Sequence, residues 1–179
     1  GNLAVFTQGA GFDSLSIKGK VFHFIKNGEK ILLTKPGGDG EPAPSVEVVI
    51  LDIGPRGRLS ARTYYAGKYA EGSIEAPDCS SNDGVSPDVG VKSPQSTKCA
   101  VCKNNVKGSG ATATNPQGKA CSSNKRLSIA TPDNLSEPML LRVPGDSIVA
   151  LGDHLTVLKN RGLANSFGVV TKIGFDYTV

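Results

Sequence analysis

The sequence predicts a mainly β (α+β) protein: a small OB-like β-barrel with a metal-stabilised, loop-rich insertion and one C-terminal helix. Three observations support this fold class. Several short stretches alternate apolar and polar residues between turn formers, and one stretch near the C-terminus has helical apolar spacing. A long segment, residues 72–132, is rich in Ser, Gly, Asn and Pro and contains all four cysteines. At 179 residues, the chain (1–179) is predicted to be a single OB-like domain that carries this insertion.

The strands are predicted from turns and alternation. Asn27-Gly28 is the pair best suited to a two-residue type I′ turn, and it lies between the β-rich stretches "KVFHFIK" and "EKILL". Two further strands are predicted in "SVEVVILDI" and "RLSARTYYA". On the second of these, period two places four side chains on one face: Arg58, Ser60, Arg62 and Tyr64.

The C-terminal part predicts a strand, a helix and a final strand. "PMLLRV" is strand-like, Asp146 is predicted to cap the helix and Gly162 to end it. The helix is supported by apolar residues at spacings of three and four: Ile148, Leu151, Leu155 and Leu158. The ending "FGVVTKIGFDYTV" alternates from Phe167 onward, which predicts a half-buried strand central to the core.

Positive charge is concentrated on the cysteine segment. Residues 89–132 contain seven basic residues and no acidic one, which leaves 13 basic against 16 acidic residues elsewhere. A local positive field of this kind attracts polyanions. No run of about 18 apolar residues and no signal peptide is visible, which favours a cytoplasmic location without a membrane partner.

The cysteine spacing predicts a metal site. Cys99 and Cys102 form a C-x-x-C pair, whose two thiolates can reach one ion from a single tight turn, and Cys79 and Cys121 can complete a tetrahedron. Binding a structural zinc ion releases roughly 10–16 kcal/mol, enough to order a segment with little core of its own. Zn²⁺ is therefore the expected cofactor.

Other uses of the four cysteines stay open at this point. Four cysteines allow three disulfide connectivities, although no secretory signal indicates an oxidising compartment. An iron–sulfur cluster takes the same four thiolates. Free structural thiols are a further alternative, although such thiols normally have apolar surroundings.

Several motifs resemble a family of single-stranded DNA-binding proteins from the replication modules of tailed bacteriophages. The motifs are "PDCSSNDGVSPD", "CAVCKNN" followed by "GSG", "GKAC" followed by "KR", "SEPMLLRVP" and "FGVVTKIGFD", and the resemblance covers about residues 64–176. It implies an OB-like core and DNA binding in replication or recombination, in the host-cell cytoplasm. It also implies that the four cysteines ligate the metal and that Lys119, Lys125 and Arg126 form a basic flank.

Single-stranded nucleic acid, with DNA favoured, is accordingly the predicted partner. Such binding needs cations along the backbone path and aromatic faces for the bases. The predicted contacts are Phe22, Phe24, Arg58, Arg62, Tyr64, Lys103, Lys107, Lys119, Lys125 and Arg126. Core packing is the alternative for the two phenylalanines. A homo-oligomer and contacts with replication proteins are compatible with this role.

Two other functions are alternatives to nucleic-acid binding. The same cysteine segment could be a zinc-ordered protein-interaction module that acts on replication or transcription machinery. Loop carboxylates such as Asp83 and Asp88 could bind magnesium in a nuclease, but loop aspartates usually serve turns. The two histidines have no obvious nucleophile beside them, and the chain has no P-loop, so the protein is not expected to be an enzyme.

Overall fold

A computed structural model of the chain describes residues 12–67, 76–163 and 168–178. These residues form one α-helix and nine strands: β1 (Ser14–Ser16), β2 (His23–Lys26), β3 (Glu29–Leu32), β4 (Ser45–Gly54), β5 (Ala61–Tyr64), β6 (Cys79–Ser81), β7 (Cys121–Thr131), β8 (Asn134–Pro144), α1 (Ile148–Asn160) and β9 (Val170–Gly174). The predicted mainly β class with a single C-terminal helix is therefore confirmed. None of the helical structure in the described ranges is long and apolar enough to cross a membrane.

The chain divides into two compact units. Unit 1 comprises residues 1–53, 126–143 and 147–179, and unit 2 comprises residues 54–125 and 144–146. The long segment of unit 2 contains most of the predicted insertion, but it begins earlier, at Gly54, and ends at Lys125. Residues 72–75 of that insertion, and Phe167 of the predicted last strand, lie outside the described residues.

Unit 1 contains the curled sheet of a small OB-like barrel. Its strand order is β3-β2-β1-β8-β7-β4-β9, with β1 parallel to β8 and antiparallel to β2. The β2–β3 hairpin turns through Asn27 and Gly28, both at positive φ, as the type I′ prediction requires. The sheet encloses a core of ten buried residues: Leu15, Phe22, Val46, Val48, Ile50, Leu127, Ile129, Met139, Leu141 and Val143.

The sequence pattern does not predict strand β7. Its last part belongs to unit 1, where every residue from Arg126 to Ala130 is buried. A strand buried on both faces lacks the alternation that identifies a half-buried strand, so "CSSNKRLSIAT" looked like a loop.

Strand β9 is shorter than predicted and lies at the end of the sheet order, where its described partner is β4. The predicted alternation is present, since Thr171 is buried and Ile173 and Phe175 are half-buried. Tyr177, however, is mostly exposed, so the apolar face ends earlier than the pattern suggests.

Helix α1 packs Ile148 and Leu151 against the core of unit 1. The predicted Asp146 cap is wrong: the N-cap is Ser147, without a side-chain cap bond, because Asp146 lies in a preceding 3-10 turn. The predicted end at Gly162 is confirmed. Gly162 has φ 79°, and the amide of Leu163 donates to the Leu158 carbonyl at 3.0 Å, as in a Schellman motif.

We expect Gly152→Ala to stabilise the protein by about 0.5–1 kcal/mol, because glycine weakens a helix interior and the added Cβ meets open space. Thermal unfolding should show a rise in Tm of about 2–4 °C per kcal/mol. Gly162→Ala is the matched control: its positive φ should make the same substitution destabilising. A lower Tm for Gly152→Ala would contradict this account.

Candidate metal centre and basic surface

Three paired strand segments in unit 2 position two of the cysteines. Strand β5 lies between β6 and β7, and Tyr64 pairs directly with Cys79 on one side and with Cys121 on the other. Directly opposed residues of antiparallel strands project from the same face. Cys79 and Cys121 therefore flank Tyr64 on one face of these paired segments.

Two consecutive 3-10 turns, Cys99–Val101 and Lys103–Asn105, position the other two cysteines. The amide of Cys102 donates to the Cys99 carbonyl at 3.3 Å. Asn105 stabilises both turns with two hydrogen bonds, each of 2.9 Å. Its side-chain amide donates to the Cys99 carbonyl, and its backbone amide donates to the Cys102 carbonyl. The C-x-x-C pair thus lies on a hydrogen-bonded backbone that presents both thiols.

All four cysteines line one pocket of unit 2. Cys99, Cys102 and Cys121 are buried, and Cys79 is partly buried. The remaining lining residues are polar apart from one proline: Arg62, Tyr64, Ser80, Ser81, Pro87, Gln95, Ser96, Asn104 and Asn105. The structure therefore brings together the four predicted ligands, which come from three separate segments of the chain.

The thiols are free, since no disulfide joins any of the chain's four cysteines, all of which lie in described segments. They share the pocket without forming a ligand cage. Nowhere in residues 12–67, 76–163 and 168–178 do three His, Cys, Asp or Glu side chains meet closely enough to hold a metal ion. Metal binding at the pocket therefore requires the sulfurs to draw closer together than they lie here. The donor set itself, four thiols without a carboxylate, suits zinc or an iron–sulfur cluster.

Two of the four thiols in the pocket have a raised pKa. Burial raises the pKa of the Cys99 thiol, and burial raises the pKa of Cys121 to about 11. The neighbouring cysteines add to the rise for Cys121, whereas the Arg62 guanidinium lowers both pKa values. A bound metal ion supplies the positive charge that four thiolates need.

The loop that follows Cys79 is ordered by two carboxylates. Asp83 accepts hydrogen bonds from the Ser81 hydroxyl and from the backbone amides of Val85 and Ser86, and the Val85 bond is the largest cause of its lowered pKa. Asp88 accepts from Ser80 at 2.9 Å and from the Asn82 amide at 2.8 Å. Both aspartates thus serve the loop, which weakens the argument for a magnesium site on them.

Gly84 allows this loop to pass close to the start of β5. A Cβ at Gly84 would lie 2.3 Å from the Ser60 carbonyl oxygen, and its φ is 76°. We expect Gly84→Ala to destabilise unit 2 by more than about 3 kcal/mol, because the backbone must move. Hydrogen exchange of residues 76–125 should increase accordingly. Gly90→Ala has a similar φ of 82° but open space, and should cost only about 1–2 kcal/mol. Equal effects of the two substitutions would refute the clash.

The "GSG" motif lies where two backbone segments approach each other closely. The Gly110 amide donates to the Gly118 carbonyl at 3.0 Å, and a Cβ at Gly110 would lie 2.5 Å from the Ala120 nitrogen. The Ser109 hydroxyl accepts a bond from the Ala120 amide at 3.0 Å. The loop between Cys102 and Cys121 is thereby folded back on itself next to the pocket.

The predicted basic contacts separate into exposed and buried groups. Arg58, Lys103, Lys107 and Lys119 are exposed, and Lys119 donates to Asn105 at 3.0 Å. Lys125 is buried and its ammonium donates to the carbonyls of Pro55, Gly57 and Leu59. Arg126 is also buried. The prediction that Lys125 and Arg126 offer a surface to nucleic acid is therefore wrong, because both residues lie in β7 with their side chains buried.

The structure also places the predicted aromatic contacts differently from the prediction. Phe22 is 0% exposed and its ring stacks on Phe175 with centroids 4.4 Å apart, so its predicted contact with bases is wrong. Phe24 packs partly against the same core. Arg62 and Tyr64, which share a face as predicted, lie at the cysteine pocket instead of on a separate platform.

Some pocket residues were not singled out from the sequence. Asn104 is buried and its side chain donates to Gln95 at 3.1 Å, and Ser81 pairs with Arg62 in the strand register. Ser123, which is outside the pocket lining, pairs with Arg62 from β7. The turn-forming asparagines and serines next to the cysteines were the available signal. Their partners depend on strand pairing, which sequence spacing does not reveal.

No known family model, curated protein or solved structure matches the chain.

Proposed function

We propose that the protein binds single-stranded nucleic acid, preferentially DNA, through unit 2, and that a zinc ion held by Cys79, Cys99, Cys102 and Cys121 keeps that unit ordered. One observation carries the zinc centre of this proposal: the four cysteines line one pocket in a unit that buries few other apolar side chains. The buried apolar side chains among the described residues of unit 2 are Ala61, Pro77, Cys99, Cys102 and Cys121.

A unit of this size needs a substitute for a hydrophobic core. Burial of apolar side chains normally provides the stability of a small domain, and small domains with poor cores are usually held by disulfides or a structural metal. The cysteines here are free thiols, so a metal is the remaining device. Zinc bound by four thiolates has no open position for a catalytic water, and its role is structural.

The charge of the same segment supports nucleic acid as the ligand. Five lysines between Lys92 and Lys119 are exposed, and no acidic residue lies between Val89 and Pro132. Asp78 lies 3.7 Å from Lys92 and offsets part of its charge. No ion pair in the described ranges joins the other four lysines, Lys98, Lys103, Lys107 and Lys119, to an acidic residue, so their positive field is available to a polyanion. The motif resemblance to phage replication proteins and a cytoplasmic location are compatible with this role.

Two measurements on the purified full chain test the proposal. Elemental analysis should give one zinc per chain, while iron with visible absorption would indicate a cluster instead. Fluorescence anisotropy with labelled oligo-dT should show binding at about 50 mM salt that weakens steeply as salt increases. No bound metal would contradict the zinc centre, and no binding at low salt would contradict the nucleic-acid function.

A zinc-ordered protein-interaction module is the second candidate, favoured by exposed apolar side chains on the same segment. Val89, Val101 and Val106 are largely exposed. Apolar side chains that are exposed together as one patch mark sites of protein contact. Capture of a defined protein that survives nuclease treatment, without affinity for oligo-dT, would favour this function.

A further inference from the structure

We infer that Arg62 is the internal counter-cation of the four-cysteine centre and a positioning residue that sets its metal affinity. The inference rests on the proposed zinc centre. In the register of unit 2, Arg62 pairs with Ser81 on β6 and with Ser123 on β7. It lies two residues from Tyr64, so its side chain projects from the same face as Cys79 and Cys121.

The Arg62 side chain is held at the pocket with donors to spare. One terminal nitrogen donates to the Ser123 hydroxyl. Its Nε is buried and has no hydrogen-bond partner within the part of the chain that the structure describes. A guanidinium has five N–H donors in a rigid plane. Because one of these donors is bonded to Ser123, the remaining N–H groups are available to the sulfurs that share the pocket.

Among the described residues that line the pocket, Arg62 is the one cation, and it shares that lining with all four cysteines. The neighbouring Lys125 is occupied by three backbone carbonyls. Zinc with four thiolates carries a net charge of about −2, and burying that charge without compensation is costly. Arg62 provides half of the compensation within the fold itself.

Arginine suits this position better than lysine. It stays charged at every accessible pH, and its planar fork can bond Ser123 and a sulfur at the same time. A lysine would keep the positive charge, but as a single ammonium group at the end of a flexible side chain. Charge and geometry can therefore be separated by substitution.

The test is zinc affinity, measured by competition with a chromophoric chelator for the full-length wild type, Arg62→Gln and Arg62→Lys. We expect Arg62→Gln to bind zinc about 10–100-fold more weakly, as is typical when a group that supports metal ligands is removed. Arg62→Lys should recover most of the loss. Arg58→Gln, exposed and outside the pocket lining, is the matched control and should bind zinc like the wild type.

A second readout is the rate of thiol alkylation by iodoacetamide at limiting chelator, which should rise in Arg62→Gln and stay unchanged in Arg58→Gln. If Arg62→Gln does not fold, Arg62→Lys alone decides: an affinity within about fivefold of the wild type supports the inference, and a loss as large as 10–100-fold overturns it. Wild-type affinity in Arg62→Gln overturns the inference and leaves the zinc centre standing. A wild type without bound zinc overturns both.

Discussion

Chelation of zinc is expected to unfold unit 2 while the core of unit 1 remains protected. The physical reason is the difference between the two interiors. Unit 1 buries ten core residues around Phe22 and Ile129, whereas the buried apolar side chains of unit 2 in the described ranges are three cysteines, Ala61 and Pro77. The apparent free energy of structural zinc binding, roughly 10–16 kcal/mol, equals or exceeds the whole stability of an ordinary domain.

The measurement is hydrogen exchange of the full chain with and without chelator. Amides in 76–125 should lose protection when zinc is removed, and amides in 126–131 and 139–143 should retain it. Cys121→Ser should reproduce the effect without chelator, because a serine hydroxyl does not replace the buried thiolate. Ala111→Ser introduces the same side chain at an exposed position and is the control. Unchanged exchange in Cys121→Ser would show that the thiols do not order unit 2.

Replacement of three exposed lysines, Lys103, Lys107 and Lys119, by glutamine is expected to weaken oligo-dT binding by on the order of 100-fold at about 50 mM salt. Each lysine that neutralises a phosphate releases a counterion, and the salt slope falls by about 0.7 per lost contact on single strands. The slope of log affinity against log salt should therefore decrease by about 2.

The matched control removes the same charge from unit 1. Lys30, Lys159 and Lys172 are exposed there, and their replacement by glutamine gives the same change in net charge. The control variant should keep most of the affinity and the wild-type slope. Equal loss in both variants would indicate non-specific attraction to net charge, and no loss in either would remove the basic segment from the proposed interface. Zinc content, measured in parallel, shows whether the metal centre is intact.

Local features of the fold were readable from the sequence. Asn27-Gly28 forms the predicted hairpin turn, and Gly162 ends the helix, because positive φ is available to these residues at little cost. Cys99-x-x-Cys102 forms a tight turn as the spacing predicts. In each case the determining interaction lies within a few residues of chain.

Features that depend on burial were misread. Phe22 has the same neighbours in sequence whether it faces solvent or the core, and only packing against Phe175 decides between them. Lys125 and Arg126 looked like a basic flank because charged residues are usually exposed. Their burial follows from the position of β7, and for Lys125 from three carbonyls about 70 residues earlier in the chain.

The sequence by itself determined the turns, the helix end, the spacing of the thiols and the uneven distribution of charge, since all of these are properties of neighbouring residues. The tertiary structure alone decided that Cys79 and Cys121 flank Tyr64, and that Arg62 faces the thiols. The reason is strand pairing: β5 meets β6 and β7 across long stretches of chain, and a shift of one residue would turn Arg62 to the opposite face.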